Sequence, residues 1–150
     1  MPVLPSYPHM GAKESDVWRA FLASGHAPAG DVYYAARLGT PLPWNPAQGE
    51  YMRALIHATS RLRVDAVIVA GDVYWLFEVK IRAGLSALGQ AMGYQLLFED
   101  VVPGTANVLS CIVAWSSTID LPPIATRCGI GLYLVTSKWG QHWNEPAFSP

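Results

Sequence analysis

The sequence predicts a single α/β domain, a mixed sheet with helices on both faces. Three observations lead there. Helical patterns of apolar residues alternate with β-rich runs along the chain. Two of those runs, "RVDAVIVA" and "VYWLFEVK", are apolar on both faces, as central strands are, and only Gly71 and Asp72 separate them. The chain has 150 residues, enough for one sizeable core.

Taken in order, "KESDVWRAFLASG" predicts a helix with Val17, Trp18, Phe21 and Leu22 on one stripe and Gly25 as its stop. "DVYYAARLG" reads as a short strand and "TPLPWNP" as a rigid proline loop. Asn45 and Pro46 then offer an N-cap and first-turn pair for an inserted helix to about Ser60, with Met52, Leu55 and Ile56 on its apolar face. The two long apolar runs follow as a hairpin, since a two-residue link led by glycine suits a type I′ or II′ turn. A helix is expected from about Leu85 to Phe98, then "NVLSCIVAW" as a strand, an irregular Pro122-Pro123 segment, and "IGLYLVT" as the last strand. Residues 1–10 read as an extended, proline-rich N-terminal arm, 11–138 as the domain, and 139–150 as an aromatic tail carrying Trp139 and Trp143.

Composition sets the outer bounds. Hydrophobic residues make up 51% and charged residues 14%, and the surplus apolar surface predicts a homo-oligomer or a larger assembly. No apolar run approaches a membrane span, and "MPVLPSYPHMG" lacks the basic-then-apolar layout of a signal peptide. A cytoplasmic or virion-associated protein with reduced thiols at Cys111 and Cys128 is therefore expected. A net charge of −1 argues against coating nucleic acid by bulk charge. Even so, Arg53, Arg61, Arg63, Lys80 and Arg82 crowd into one part of the chain, a strip suited either to phosphates or to solvating the ends of elements. His9, His26, His57 and His142 are scattered without metal-ligand spacing, and no phosphate loop or nucleophile elbow occurs.

The chemistry-bearing residues sit at the end of the hairpin. If Gly71 and Asp72 form the turn, counting back along the pairs puts Asp65 directly opposite Glu78, with Lys80 on the same face. Val67, Val69, Tyr74 and Leu76 make up the rest of that face. Two neighbouring carboxylates half out of water repel each other and raise one pKa. A hard divalent cation such as Mg²⁺ or Mn²⁺ would relieve that repulsion, and so would a structural ion pair to Lys80. Spacing alone leaves both readings open.

Asp65, then Glu78-Val79-Lys80 on the next strand, then a helix with Gln90-Ala-Met-Gly-Tyr94, resembles the PD-(D/E)XK nuclease superfamily. The Gln-x-x-x-Tyr helix is similar to that of its RecB-like branch. The resemblance implies a restriction-endonuclease-like αβββαβ core, matched here from about residue 11 to 115, with one inserted helix and extended terminal arms. It implies Mg²⁺- or Mn²⁺-dependent hydrolysis of DNA, with Asp65, Glu78 and the carbonyl of Val79 on the metal and Lys80 beside the attacking water. Gln90 and Tyr94 would touch substrate or brace the site, and Arg63 and Arg82 would meet phosphates. Many members add an acid from the first helix. Glu14 heads the inward stripe with Val17, Trp18 and Phe21, although a first-turn acid also suits the helix dipole. Here Val64 stands where many members have proline. The family also keeps its fold in members without catalysis, so a non-catalytic phage virion component and a DNA-binding module without turnover are the alternatives.

Overall fold

The computed structural model describes residues 4, 6–43, 45–102, 104 and 107–135; Trp139, Trp143 and the rest of the expected tail lie outside them. The order is α1 (Ala12–Ala23), β1 (Asp31–Leu38), a 3₁₀ turn (Pro46–Gln48), α2 (Gly49–Thr59), β2 (Leu62–Ala70), β3 (Val73–Ala83), α3 (Leu85–Glu99), β4 (Asn107–Ser117), α4 (Leu121–Arg127) and β5 (Gly131–Leu134). One mixed five-stranded sheet runs β1-β2-β3-β4-β5. β1, β2 and β3 are antiparallel neighbours, while β4 lies parallel to β3, and β5 parallel to β4. Both parallel steps carry a helix, because a parallel return needs a crossover too long for a tight turn, and the antiparallel β1–β2 step carries the inserted α2.

Alternation along the strands separates two cores. Ala66, Ile68, Phe77, Val79, Cys111 and Val113 meet Val17, Trp18 and Phe21 of α1 on one face. On the other face, Ile112 and Ala114 pack with Ala87, Leu88 and Ala91 of α3 and Leu121 and Ala125 of α4. Beside them Val67 and Leu76 pack with Tyr94. The α1 core is aromatic. Trp18 lies 5.2 Å from Phe77 and 5.3 Å from Phe21, ring centre to ring centre, and its indole N–H donates to the Tyr34 hydroxyl at 3.3 Å. Tyr7 and Met10 are buried in this core too, so the segment before α1 is tied to the domain.

One expectation changes. The Pro122-Pro123 segment is the first turn of α4, where the missing proline N–H groups have no helical partner to lose. In α3 the stripe formed by Leu85, Leu88, Met92 and Leu96 buries Leu88 alone. Leu85, Met92 and Leu96 are exposed, and Ala87, Ala91 and Tyr94 turn inward, the two alanines letting the backbone approach the sheet. Cys111 and Cys128 are both free, and burial pushes the Cys111 thiol up to about 12. Among the described residues no helix is long and apolar enough to cross a membrane.

Among the described glycines, Gly30 leaves the least room for a Cβ. A Cβ there would sit 2.2 Å from the carbonyl oxygen of Val69, which cannot move without breaking the β1–β2 ladder. Gly30→Ala is expected to lower stability in urea by about 1–3 kcal/mol. Gly89→Ala, which meets open space within α3, should raise it by up to about 1 kcal/mol.

Candidate active site

β2 and β3 pair tightly from Ala70–Val73 at the turn to Ala66–Phe77, and there the ladder stops. β2 continues beside β1 as far as Leu62–Leu38, and β3 continues beside β4 as far as Ala83–Ser117. The sheet therefore forks between two strands that each stay paired on their outer side. Asp65 and Glu78 are the first residues past the fork. The count from the turn still sets these two across from each other, but the ladder does not continue to them, and a side-chain hydrogen bond takes its place. The Val79 N–H, with no strand partner on that side, donates to Asp65 Oδ2 at 2.8 Å.

Asp65 is irregular on its other flank as well. β1 residues 31–34 and 36–38 pair with β2, but Ala35 and Asp65 are skipped. Ala35 takes a left-handed backbone at φ 57°, which an alanine adopts only under constraint. Packing reverses at the same point. Tyr34 and Ala66 belong to the α1 core, whereas Ala36 and Val64 belong to the α3 core. Asp65 thus sits on a break in the alternation rather than on a regular face.

Glu78 is 2% exposed and pairs with Lys80, whose side chain reaches partly into solvent. The Tyr94 hydroxyl donates to the same carboxylate and accepts from Gln90 Nε2 at 3.3 Å. The Gln-x-x-x-Tyr face of α3 therefore braces Glu78. Glu14 of α1 lies within electrostatic reach of Asp65, Glu78 and Lys80, while its Oε2 accepts from the Gly11 N–H at 3.0 Å and caps its own helix. Val79 turns its N–H into the fork. Since a strand residue's N–H and C=O point to the same side, its carbonyl opens there as well. Arg82 lies on the exposed continuation of β3.

The electrostatics follow from burial. Loss of water, then the charge of Glu78, pushes Asp65 up to about 7, against the lowering effects of the Val79 N–H and Lys80. Burial also raises Glu78, although the hydrogen bond and charge of Lys80 oppose it. For Lys80 burial works against the charge, but Glu78, Asp65 and Glu14 outweigh it and the ammonium is raised. Tyr94 is raised by burial and by both carboxylates. A cluster with more acid than base is thus held partly out of water, and an added proton or cation relieves it.

Among the described residues, no three His, Cys, Asp or Glu side chains form a ready-made metal cage. Asp65, Glu78, Lys80, Gln90 and Tyr94 converge, with Glu14 near them, and Arg82 stays outside. Of the other basic residues, Arg53 pairs with Glu50 at 3.6 Å and Arg61 donates to the His57 carbonyl at 3.3 Å, both within the α2 region. Arg63 instead faces Arg37 across β1 and β2 and hydrogen-bonds to His9. Neither Arg37 nor His9 stood out in the sequence, because nothing local to either marks it. Comparison with family models, with curated proteins and with solved structures finds no match for this chain.

Proposed function

We propose that the chain is a Mg²⁺- or Mn²⁺-dependent deoxyribonuclease on a restriction-endonuclease-like core. One observation carries the reading: the sheet forks to hold two carboxylates side by side, half out of water, with a lysine two residues along from one of them. The donor set suits a hard cation. Asp65 Oδ1, Glu78 and the Val79 carbonyl supply oxygens only, with Glu14 close by, and so few protein ligands match an ion that keeps several waters. Bound there, an ion would supply polarisation of the scissile phosphate and a lowered pKa for a coordinated water. The chain's own residues do the rest. Lys80 orients the attacking water and offsets charge on the phosphate, while Gln90 and Tyr94 fix the Glu78 carboxylate. Arg82 and Arg63 meet flanking phosphates.

The test is incubation of supercoiled and linear DNA with Mg²⁺ or Mn²⁺. Wild type should cut, and Asp65→Asn and Lys80→Ala should lose more than the roughly 100-fold that outer partners of a metal typically cost. A second reading, a non-catalytic assembly component that keeps the fold, is favoured by the exposed Leu85, Met92 and Leu96 on the outer face of α3. Intact DNA in every metal, together with a large assembly by light scattering, would select it.

A further inference from the structure

We propose that Arg37, Arg63 and His9 form a clamp for a DNA backbone phosphate next to the carboxylate site, an inference that rests on the nuclease reading for its neighbour but not for its own evidence. Arg37 and Arg63 are directly paired residues of β1 and β2, so they share a face with Cβ atoms about 5 Å apart. Like charges so placed destabilise a sheet unless something answers them. Nothing among the described residues does. Among the described residues the ion pairs are Arg19 with Asp16, Arg53 with Glu50 and Lys80 with Glu78, so no carboxylate serves either guanidinium.

The donors also lack partners. Arg37 Nη1 and Arg63 Nε are shielded from water and make no hydrogen bond, an arrangement that is costly until an acceptor arrives. On the same cluster, Arg63 Nη1 meets His9 Nδ1, and His9 is exposed and held in a left-handed backbone at φ 65°. Two planar forks and an imidazole at the mouth fit a tetrahedral, doubly accepting anion better than a carboxylate side chain.

Position decides which anion. Arg63 precedes Asp65 by two strand residues, about 7 Å, and Arg37 follows the strained Ala35 by two. A strand whose scissile phosphate lay at Asp65 would carry another phosphate within reach of the clamp. The clamp would fix register along the backbone and read no base.

The experiment is fluorescence anisotropy of labelled duplex and single-stranded DNA, in EDTA so that nothing is cut, as a function of salt. Arg37→Gln/Arg63→Gln is expected to bind about tenfold or more weakly, and its salt slope should fall by about one to two contacts. Arg37→Lys/Arg63→Lys keeps the charge but not the fork and should lie between; it also serves if the glutamine pair does not fold. Inorganic phosphate at millimolar concentration should compete with DNA for wild type and not for the glutamine variant. Unchanged affinity and slope in a folded double variant would overturn the clamp. The nuclease reading is judged separately. Wild type that binds through the clamp but cuts nothing keeps the clamp and loses the nuclease, and a double variant that binds and cuts as well as wild type does the reverse.

Discussion

Asp65→Asn is expected to stabilise the metal-free protein at neutral pH while it removes cleavage. The Asp65 carboxyl titrates near 7 in the fold against an ordinary value of 3.8, because it is buried beside Glu78. Between those values the native state holds a proton that the unfolded chain has released, so stability falls as pH rises through that window and levels off above it. The full shift corresponds to about 4 kcal/mol, and partial exposure to water reduces the expected loss to about 2–3 kcal/mol. Asparagine is neutral throughout and can still accept from the Val79 N–H. Urea unfolding in EDTA at pH 5 and pH 8 should therefore show wild type losing more stability at the higher pH than the variant does.

Metal should reverse the order. At pH 8, Mg²⁺ at about 100 times its dissociation constant should return about 2.7 kcal/mol to wild type and much less to Asp65→Asn. A variant that matched wild type in both the pH profile and the Mg²⁺ response would remove Asp65 from the site. Hydrolysis is not needed for this readout. The assignment of the carboxylate can therefore stand or fall independently of any substrate.

The hairpin explains how much of this was legible in the sequence. Its turn is two residues long and glycine-led, so pairing can be counted outward from it, and the observed ladder keeps that register to Ala66–Phe77. The fork lies one step further, where no local rule applies. It forms because β2 is held by β1 and β3 by β4, and both constraints come from distant parts of the chain. The Arg37–Arg63 pair was illegible for the same reason. The 3₁₀ turn and α2 separate β1 from β2, and no count from a turn predicts which residue meets which. The face of α3 misleads differently, since a leucine stripe signals burial more strongly than Ala87, Ala91 and Tyr94 do. Close backbone approach favours the smaller residues, and Leu85, Met92 and Leu96 are left outside while Leu88 is buried.

Replacing the Glu78–Lys80 pair tests whether the ions are there for the fold or for chemistry. Lys80→Ala alone leaves Glu78 inside the protein beside Asp65 without its cation, and should cost about 3 kcal/mol at pH 8. The loss should shrink as pH falls, because burial raises the Glu78 carboxyl and a bound proton removes the uncompensated charge. Glu78→Leu/Lys80→Met removes both charges and keeps the volume, and is expected to match wild type or exceed it by about 1–4 kcal/mol. Tyr94 then keeps Gln90 as a partner for its hydroxyl. The two effects should be strongly non-additive in a double-mutant cycle measured by urea unfolding. A pair kept for stability would behave otherwise, with the apolar double variant falling below wild type by at least as much as the lysine variant. An ion pair that the fold does better without is one held for what it does to a ligand, and loss of cleavage in the more stable double variant would place that ligand at the fork.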